Sequence, residues 1–168
     1  MAFEDVVIER NLNKWNVLVA SLIAGFDKLG VLSQAVVNKD MEVVADKLAR
    51  FFKVKGNVPQ VDSSSSFEEN MKRIIEFIDR ELELAGESSV TLEGENVTFE
   101  VVGNTCHFCP KGVGEAELPG TACPYPSLLM NFANKFLPED QQVEVVLQDR
   151  NYLKKEGGKC RIIFRRKS

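Results

Sequence analysis

Four cysteines and one histidine are the side chains whose type and spacing predict metal chemistry in this sequence. They are Cys106, Cys109, Cys123 and Cys160, with His107 inside the first pair. The two-residue gap between Cys106 and Cys109 lets both sulfurs bind one ion at about 2.3 Å, the zinc–thiolate distance. A closed set of four thiolates is typical of structural rather than catalytic zinc. We therefore predict a structural zinc site formed by the four cysteines, with His107 as the alternative ligand.

The segment 103–126 explains why a metal is expected. It contains three of the four cysteines, four glycines and four prolines, and it has neither helical nor strand periodicity. Ordering about twenty such residues costs roughly 1–2 kcal/mol each for the backbone alone. Few large apolar side chains are present to offset that cost, whereas structural zinc supplies on the order of 10–16 kcal/mol in small peptides. We expect the ion to hold this loop.

Catalytic chemistry has less support from the residues. The single histidine restricts any Cys–His or Ser–His pair to His107, beside cysteines already assigned to the metal. Gly112-Val113-Gly114 lacks the third glycine of a phosphate-binding loop. A thioredoxin-like pair at Cys106 and Cys109 normally opens a helix, which the following Pro and Gly disfavour. We predict no catalytic residue, and a redox role for the thiols is the alternative.

Composition and charge exclude several classes of protein. Of the 168 residues, 44% are hydrophobic and 27% are charged, which is the mixture of a folded chain rather than a disordered one. The net charge of −4 lacks the positive field of a nucleic-acid-binding protein. No apolar run approaches the roughly 18 residues of a membrane span, and the acidic start does not resemble a signal peptide. We expect a cytoplasmic protein with no membrane or nucleic-acid partner.

The first third of the chain is predicted to be helical. Apolar residues recur at helical spacing over Leu12–Leu29, and further helical stretches are predicted over Val31–Asn38 and Met41–Lys53. A serine-rich run, 62–66, then breaks the pattern and is the best candidate for a linker. We predict a helical region at 1–61 that forms a homodimer through its spare apolar surface, and an α+β unit at 62–168.

The second unit alternates between helical and strand patterns. Ser66 and Glu69 form a predicted capping box for a helix from Phe67 to about Ala85, which Gly86 ends. A hairpin follows around Gly94, and later come a short helix and two more strands. Their predicted bounds are Val90–Val101 for the hairpin, Ser127–Phe136 for the helix, and Val143–Gln148 and Cys160–Arg165 for the strands. This order predicts an α+β fold, in which the N-terminal helices pack on an antiparallel sheet beside the Cys-rich loop.

Three features of the second half of the chain form a recognisable set. They are Cys106-His107-Phe108-Cys109 after a strand, Cys123-Pro124-Tyr125-Pro126 before an apolar helix, and a closing hairpin made of Val143-Glu144-Val145-Val146-Leu147 and Gly157-Gly158-Lys159-Cys160-Arg161-Ile162-Ile163-Phe164. Together they resemble the 4-vinyl reductase domain family, which is related to the Bet-type subunits of the TRAPP complex and to haem–nitric-oxide sensors. The likeness covers about 100 residues from Phe67 onward. A further cysteine that family members often carry in that hairpin is replaced here by Asn151 or Tyr152.

The resemblance implies helices packed on an antiparallel sheet, a pocket between them for an apolar ligand, and a homodimer. Combined with the thiols, it predicts a zinc-binding module that holds or senses a small hydrophobic molecule without catalysing a reaction. Two other functions also agree with the sequence. One is a redox-active or reductase-type enzyme that uses the cysteines, and the other is a regulatory protein whose helices bind a partner.

Overall fold

The protein is described by a computed structural model over residues 2–118 and 120–167. Within these residues it forms five α-helices and a five-stranded antiparallel sheet. The helices are α1 (Phe3–Glu9), α2 (Lys14–Lys28), α3 (Gln34–Lys55), α4 (Phe67–Leu82) and α5 (Tyr125–Ala133). The strands are β1 (Ser88–Glu93), β2 (Asn96–Val102), β3 (Val143–Val145), β4 (Lys154–Glu156) and β5 (Lys159–Arg166). The predicted α+β class with an antiparallel sheet is confirmed.

The last strand, β5, organises the sheet. One of its edges pairs with β2, whose other edge pairs with β1. Its opposite edge pairs first with β4 and then with β3. In this register Cys160, at the start of β5, lies opposite Val101 of β2 and Lys155 of β4. The pairing therefore places the last cysteine at the end of the sheet from which the loop after β2 departs.

Helices cover one face of the sheet. The alternating side chains that face them are fully buried: Val97, Phe99, Val101, Ile162 and Phe164. The contacts are made mainly by α4, against β1 and β2, and by α5, against β3, whereas α3 packs on α5. The prediction that the N-terminal helices pack on the sheet therefore needs correction. The two later helices make most of the contacts with the strands through their buried apolar side chains, and α3 packs mainly on α5.

Helix α3 is one helix where two were predicted. Its N-terminus is capped by Ser33, whose Oγ accepts a hydrogen bond from the Val36 N–H at 3.2 Å, and it ends at Gly56 in the left-handed region with φ 67°. The predicted break fell at 39–40, between the stretches Val31–Asn38 and Met41–Lys53. Both residues there are exposed, while buried residues continue at helical spacing across the break: Val37, Met41, Ala45, Ala49 and Phe52.

The shorter elements depart from the predicted boundaries. Helix α4 begins after Ser66 as predicted, with Ser66 Oγ accepting from the Glu69 N–H at 3.2 Å. It ends at Leu82 instead of Ala85, because Glu83 adopts the left-handed conformation with φ 50°. The strand β4, absent from the prediction, reaches β5 through Gly157 and Gly158, whose φ values of 57° and 78° suit a tight hairpin turn.

The predicted boundary at 61/62 lies beside an ordered turn. The Asn70 side chain accepts from the Asp62 N–H at 3.0 Å and donates to the Asp62 carbonyl at 2.8 Å. The same amide group donates to the Gln141 side chain at 3.0 Å. The main hydrophobic core includes residues from α2 and α3 together with residues from α4, α5 and the sheet. The helices on both sides of the boundary share this core.

Candidate metal centre and apolar cavity

All four cysteines line one cavity of about 390 Å³. Cys106 and Cys109 reach it from the loop after β2, Cys123 from the residue before the α5 N-terminal turn, and Cys160 from the start of β5. In each of the six pairs of thiols, the negative charge of one ionised sulfur raises the pKa of the other thiol. The structure therefore brings together the four sequence-predicted ligands from points up to 54 residues apart in the chain, from Cys106 to Cys160.

Backbone hydrogen bonds shape the turn that carries the first two cysteines. The Cys109 carbonyl accepts from the N–H groups of Val113 and Gly114 at 2.8 and 3.1 Å. The Arg10 guanidinium donates to the Cys106 carbonyl at 3.0 Å and ties the turn to the N-terminal helices. Gly114 lies so close to α2 that an added Cβ would be 2.4 Å from the Ala20 carbonyl oxygen. Only glycine fits at this position, so the close packing against α2 fixes the path of the loop.

Three of the sulfurs have backbone N–H donors. Gly112 donates to Cys109 Sγ at 3.4 Å. The N–H groups of Phe108 and Tyr125 likewise act on Cys106 and Cys123 and favour their ionised forms. Donors directed at sulfur are typical of metal–thiolate sites, where they orient the ligands and stabilise their charge.

Burial dominates the acid–base behaviour of the thiols. It raises the pKa of Cys106 to about 11, with the neighbouring Cys109 adding to the effect. It also raises the pKa of Cys123 well above its ordinary value, and that of Cys160 as well. Without a bound cation these three thiols are protonated at neutral pH and are poor nucleophiles. A metal ion reverses this situation, because coordination replaces the protons with positive charge.

The thiols surround the cavity and do not meet at one point. Among residues 2–118 and 120–167, no group of three or more His, Cys, Asp or Glu side chains is arranged to hold a single ion. Three lysines line the same cavity, namely Lys111, Lys155 and Lys159. One carboxylate, Glu156, lines the cavity as well, so the arrangement combines four thiols with three cationic groups and one anionic group around a space of about 390 Å³.

His107, the alternative ligand, faces a different part of the molecule. Its Nδ1 lies 2.6 Å from the Glu83 carbonyl oxygen, and its backbone N–H donates to the Leu84 carbonyl at 2.9 Å. Because a carbonyl only accepts, Nδ1 carries the proton in this contact. The ring lines a polar cleft with Asp79 and Glu87. The structure therefore uses His107 to attach the loop to the end of α4 and does not bring it to the thiols.

Tyr125 links the thiols to the helical layer and was not identified from the sequence. Its hydroxyl accepts from the Cys106 thiol at 3.3 Å and donates to the carbonyl of Leu84. Its buried ring packs edge-on against Phe108, with centroids 6.3 Å apart. The only signal in the sequence is its position two residues after Cys123, inside Cys-Pro-Tyr-Pro. That position places its N–H and its ring at the same sulfur cluster.

A second cavity, of about 620 Å³, lies behind Tyr125. It is bounded by α2, α3, the end of α4 and the start of α5, and its lining is mostly apolar: Val19, Ile23, Met41, Val44, Leu48, Leu82 and Leu128 among others. Pro124 and Tyr125 line both cavities. Asp40, Glu81 and Glu83 also line the second cavity, so its charged groups are all acidic. We call it the apolar cavity below.

No helix in the described part of the chain is long and apolar enough to cross a membrane.

Comparison with known proteins gives two matches and no activity. A family model described as the MJ0207 family matches residues 30–166, which include α3 to α5, the sheet and all four cysteines. The uncharacterized protein MJ1342 of Methanocaldococcus jannaschii is 36% identical over 70 residues. These residues are 41% of this chain and 58% of that protein, so the match spans less than two thirds of the relative's length. No solved structure matches the chain.

Proposed function

This chain belongs to the MJ0207 family, and from its two adjoining cavities we propose that it is a metal-stabilised module that binds a small apolar molecule. The four thiols bind the metal, for which zinc is the ion that the sequence predicts, and the apolar cavity binds the ligand. The module binds or senses its ligand without catalysing a reaction. A resemblance to the 4-vinyl reductase domain family leads to the same hypothesis.

The main support for this proposal is the wall that the thiol cavity and the apolar cavity share. Tyr125 and Pro124 contact both spaces, and Phe108, which lies between two of the cysteines, lines the apolar cavity. A cavity of about 620 Å³ falls within the range of small-molecule sites, roughly 300–1,000 Å³. Its acidic groups disfavour an anionic ligand, so we propose an uncharged apolar molecule. In this arrangement the metal centre holds one wall of the ligand site.

The thiols favour metal binding over the redox alternative. A redox-active cysteine needs a depressed thiol pKa and access to solvent. Cys106 is buried and Cys123 and Cys160 are half-buried, and this removal from solvent raises the pKa of all three thiols. All of the cysteines are free thiols, which fits a reducing compartment such as the cytoplasm, the location that we propose.

Filling the apolar cavity tests ligand binding. Nile red is an uncharged apolar probe whose fluorescence rises on transfer from water, and Trp15, the only tryptophan, lines the cavity as a second reporter. We expect Val44→Phe to weaken Nile red binding at least tenfold, because the added ring occupies the cavity that Val44 lines. The measurement is a fluorescence titration of the folded, metal-loaded protein.

The neighbouring valine provides a matched control. Val43 is 53% exposed and does not line the cavity, so Val43→Phe makes the same chemical change one residue away. We expect its probe affinity to stay within twofold of the wild type. Equal binding by both variants and the wild type would show that the probe does not enter this cavity, and the proposed ligand site would be wrong.

We propose further that the protein is a homodimer in which α2 pairs with its copy. Trp15, Leu18, Leu22 and Leu29 of this stripe are 61%, 47%, 58% and 74% exposed, and no residue between Trp15 and Phe26 is charged. An uncharged apolar stripe is self-complementary, as a two-fold interface requires. We expect sedimentation to give a dimer at micromolar concentration, and Leu18→Glu to give a monomer. A wild-type monomer contradicts this proposal, as does a Leu18→Glu variant that stays dimeric.

A further inference from the structure

The spacing of the four thiols differs from that of a mononuclear site. Sulfurs bound to one tetrahedral ion at about 2.3 Å lie within about 4 Å of one another. Within the described residues no three ligand side chains are arranged in this way, although each pair of thiols interacts electrostatically and all four line a cavity of about 390 Å³. An iron–sulfur cluster fits such an arrangement, because its irons and sulfides occupy the centre and the thiolates bind at the periphery.

Two cysteine–proline pairs give independent support from the sequence. Cys109 is followed by Pro110, and Cys123 by Pro124. A cysteine followed by proline ends the cysteine run that binds the clusters of bacterial ferredoxins. Here both prolines are buried and line the thiol cavity itself. They line its wall with apolar rings that carry no N–H.

Charge in the cavity suits an anionic centre. A cluster with four thiolate ligands carries negative charge, and three lysines of β4, β5 and the loop line this cavity. The one carboxylate in the lining, Glu156, is paired with Lys154 at 3.2 Å, so the lysines outnumber it. Lys155 acts electrostatically on Cys160, with which it is paired across the sheet. Lys159 lies near the cavity and also contacts Glu100, 3.4 Å away. The N–H donor of Gly112 to Cys109 adds the kind of hydrogen bond that stabilises cluster sulfurs.

We infer that the four thiols hold an iron–sulfur cluster in place of a single zinc ion. The inference rests on the proposed metal centre and names its metal. On assembly each of the four thiols binds iron through sulfur and releases one proton to solvent, and ferric iron and sulfide supply the core. For a four-iron core with two ferric and two ferrous ions, two molecules of a thiol reductant supply two electrons and are oxidised to a disulfide, whereas a two-iron core with two ferric ions needs no electron. Cys106, Cys109, Cys123 and Cys160 are the ligands.

Stoichiometry tests the inference on the full-length protein. The protein is purified without oxygen and is then incubated with ferric iron, sulfide and a thiol reductant. Iron, zinc and acid-labile sulfide are measured per chain, before and after this step. We expect about four irons and four sulfides per chain, or about two of each for a smaller cluster. We also expect a visible absorption band near 400 nm that dithionite bleaches.

The possible outcomes separate this inference from the proposed function. One zinc, or one iron without sulfide, overturns the cluster but leaves the thiolate metal centre in place. Protein that binds neither zinc nor a cluster overturns both. Cys123→Ala is expected to lose most of the iron and sulfide, while His107→Ala, which alters a side chain that faces away from the thiols, keeps them. Circular dichroism establishes that each variant is folded, and the wild-type stoichiometry decides the question without any variant.

Discussion

Replacing Cys109 by alanine is expected to lower the free energy of unfolding by about 4 kcal/mol or more, together with loss of the bound metal. Loss of a metal site belongs to the small group of single changes with effects of this size. The reason lies in the loop between β2 and α5, whose described residues 106–118 and 120–124 form neither a helix nor a strand. Metal bound to Cys106, Cys109, Cys123 and Cys160 joins two points of this loop to the start of α5 and to β5.

Thermal unfolding and metal analysis of the same samples measure this effect. Thr121→Ala is the control, because Thr121 lies in the same loop and lines the same cavity but is not a proposed ligand. We expect the control to keep its metal and to unfold within about 2 °C of the wild type. A strong chelator added to the wild type is expected to reproduce the Cys109→Ala result. If Cys109→Ala unfolds like the control, the loop is held by its protein contacts and not by a metal.

Hydrogen bonds attach the loop to the rest of the protein at several points. Arg10 holds the Cys106 carbonyl, Tyr125 holds the Cys106 thiol, and the His107 ring and N–H are joined to the residues after α4. Gln34 of α3 also donates to the Cys123 carbonyl and accepts from the Cys123 N–H. A typical hydrogen bond contributes only about 1 kcal/mol net. Bonds of this strength do not by themselves balance the entropy of a loop of about twenty residues, which costs roughly 1–2 kcal/mol per residue. This imbalance is why we expect the larger share of the loop's stability to come from the metal.

The sequence allowed the four thiols to be predicted as one site because their chemistry restricts the alternatives. Free cysteines in a reducing environment with a Cys-x-x-Cys pair favour a common cation, and the structure places all four around one cavity. The distances between the four sulfur atoms could not be predicted from the sequence. Spacing along the chain specifies which residues meet, whereas the width of the cavity depends on how β4, β5 and the α5 N-terminus pack together.

Periodic elements were predicted well and irregular ones poorly, for a physical reason. The α2 stripe, the β1–β2 hairpin and the Ser66 cap each depend on neighbouring residues, so a local pattern specifies them. The continuity of α3 across the predicted break at 39–40 depends on buried contacts of Val37 and Met41 with the rest of the core. The end of α4 depends on Glu83 adopting a left-handed conformation, a choice that no local pattern in the sequence indicates.

The role of Tyr125 was missed because a tyrosine between two prolines has no distinctive spacing. Its function follows only from tertiary contacts, with Cys106 on one side and Leu84 on the other. The apolar cavity was missed as a location for the same reason. Its wall combines residues from four helices and from the loop, and periodicity shows that each stripe is apolar but not that the stripes leave a space between them.

Replacing Phe132 by alanine is the second change for which we expect a large effect. The ring is fully buried in α5 and lies at the centre of an aromatic cluster. Its centroid is 5.9 Å from that of Phe52 in α3, 5.0 Å from that of Phe136, and 6.3 Å from that of Phe77 in α4, on which it stacks. Truncation of a buried phenylalanine costs about 3–5 kcal/mol, because it removes apolar contacts and leaves a cavity.

Phe51→Ala is the matched control for this effect. Phe51 adjoins the same cluster, with its centroid 5.4 Å from that of Phe52, but its side chain is 53% exposed. We expect it to lose about 1 kcal/mol or less, as measured by the denaturant midpoint at constant slope. Since Phe132 joins α5 to α3 and α4, its loss is also expected to loosen the α5 N-terminus, where Cys123 and Tyr125 lie, and to speed metal release to a chelator. Equal destabilisation by the two variants, or unchanged metal release from Phe132→Ala, would show that the aromatic cluster does not support the metal centre.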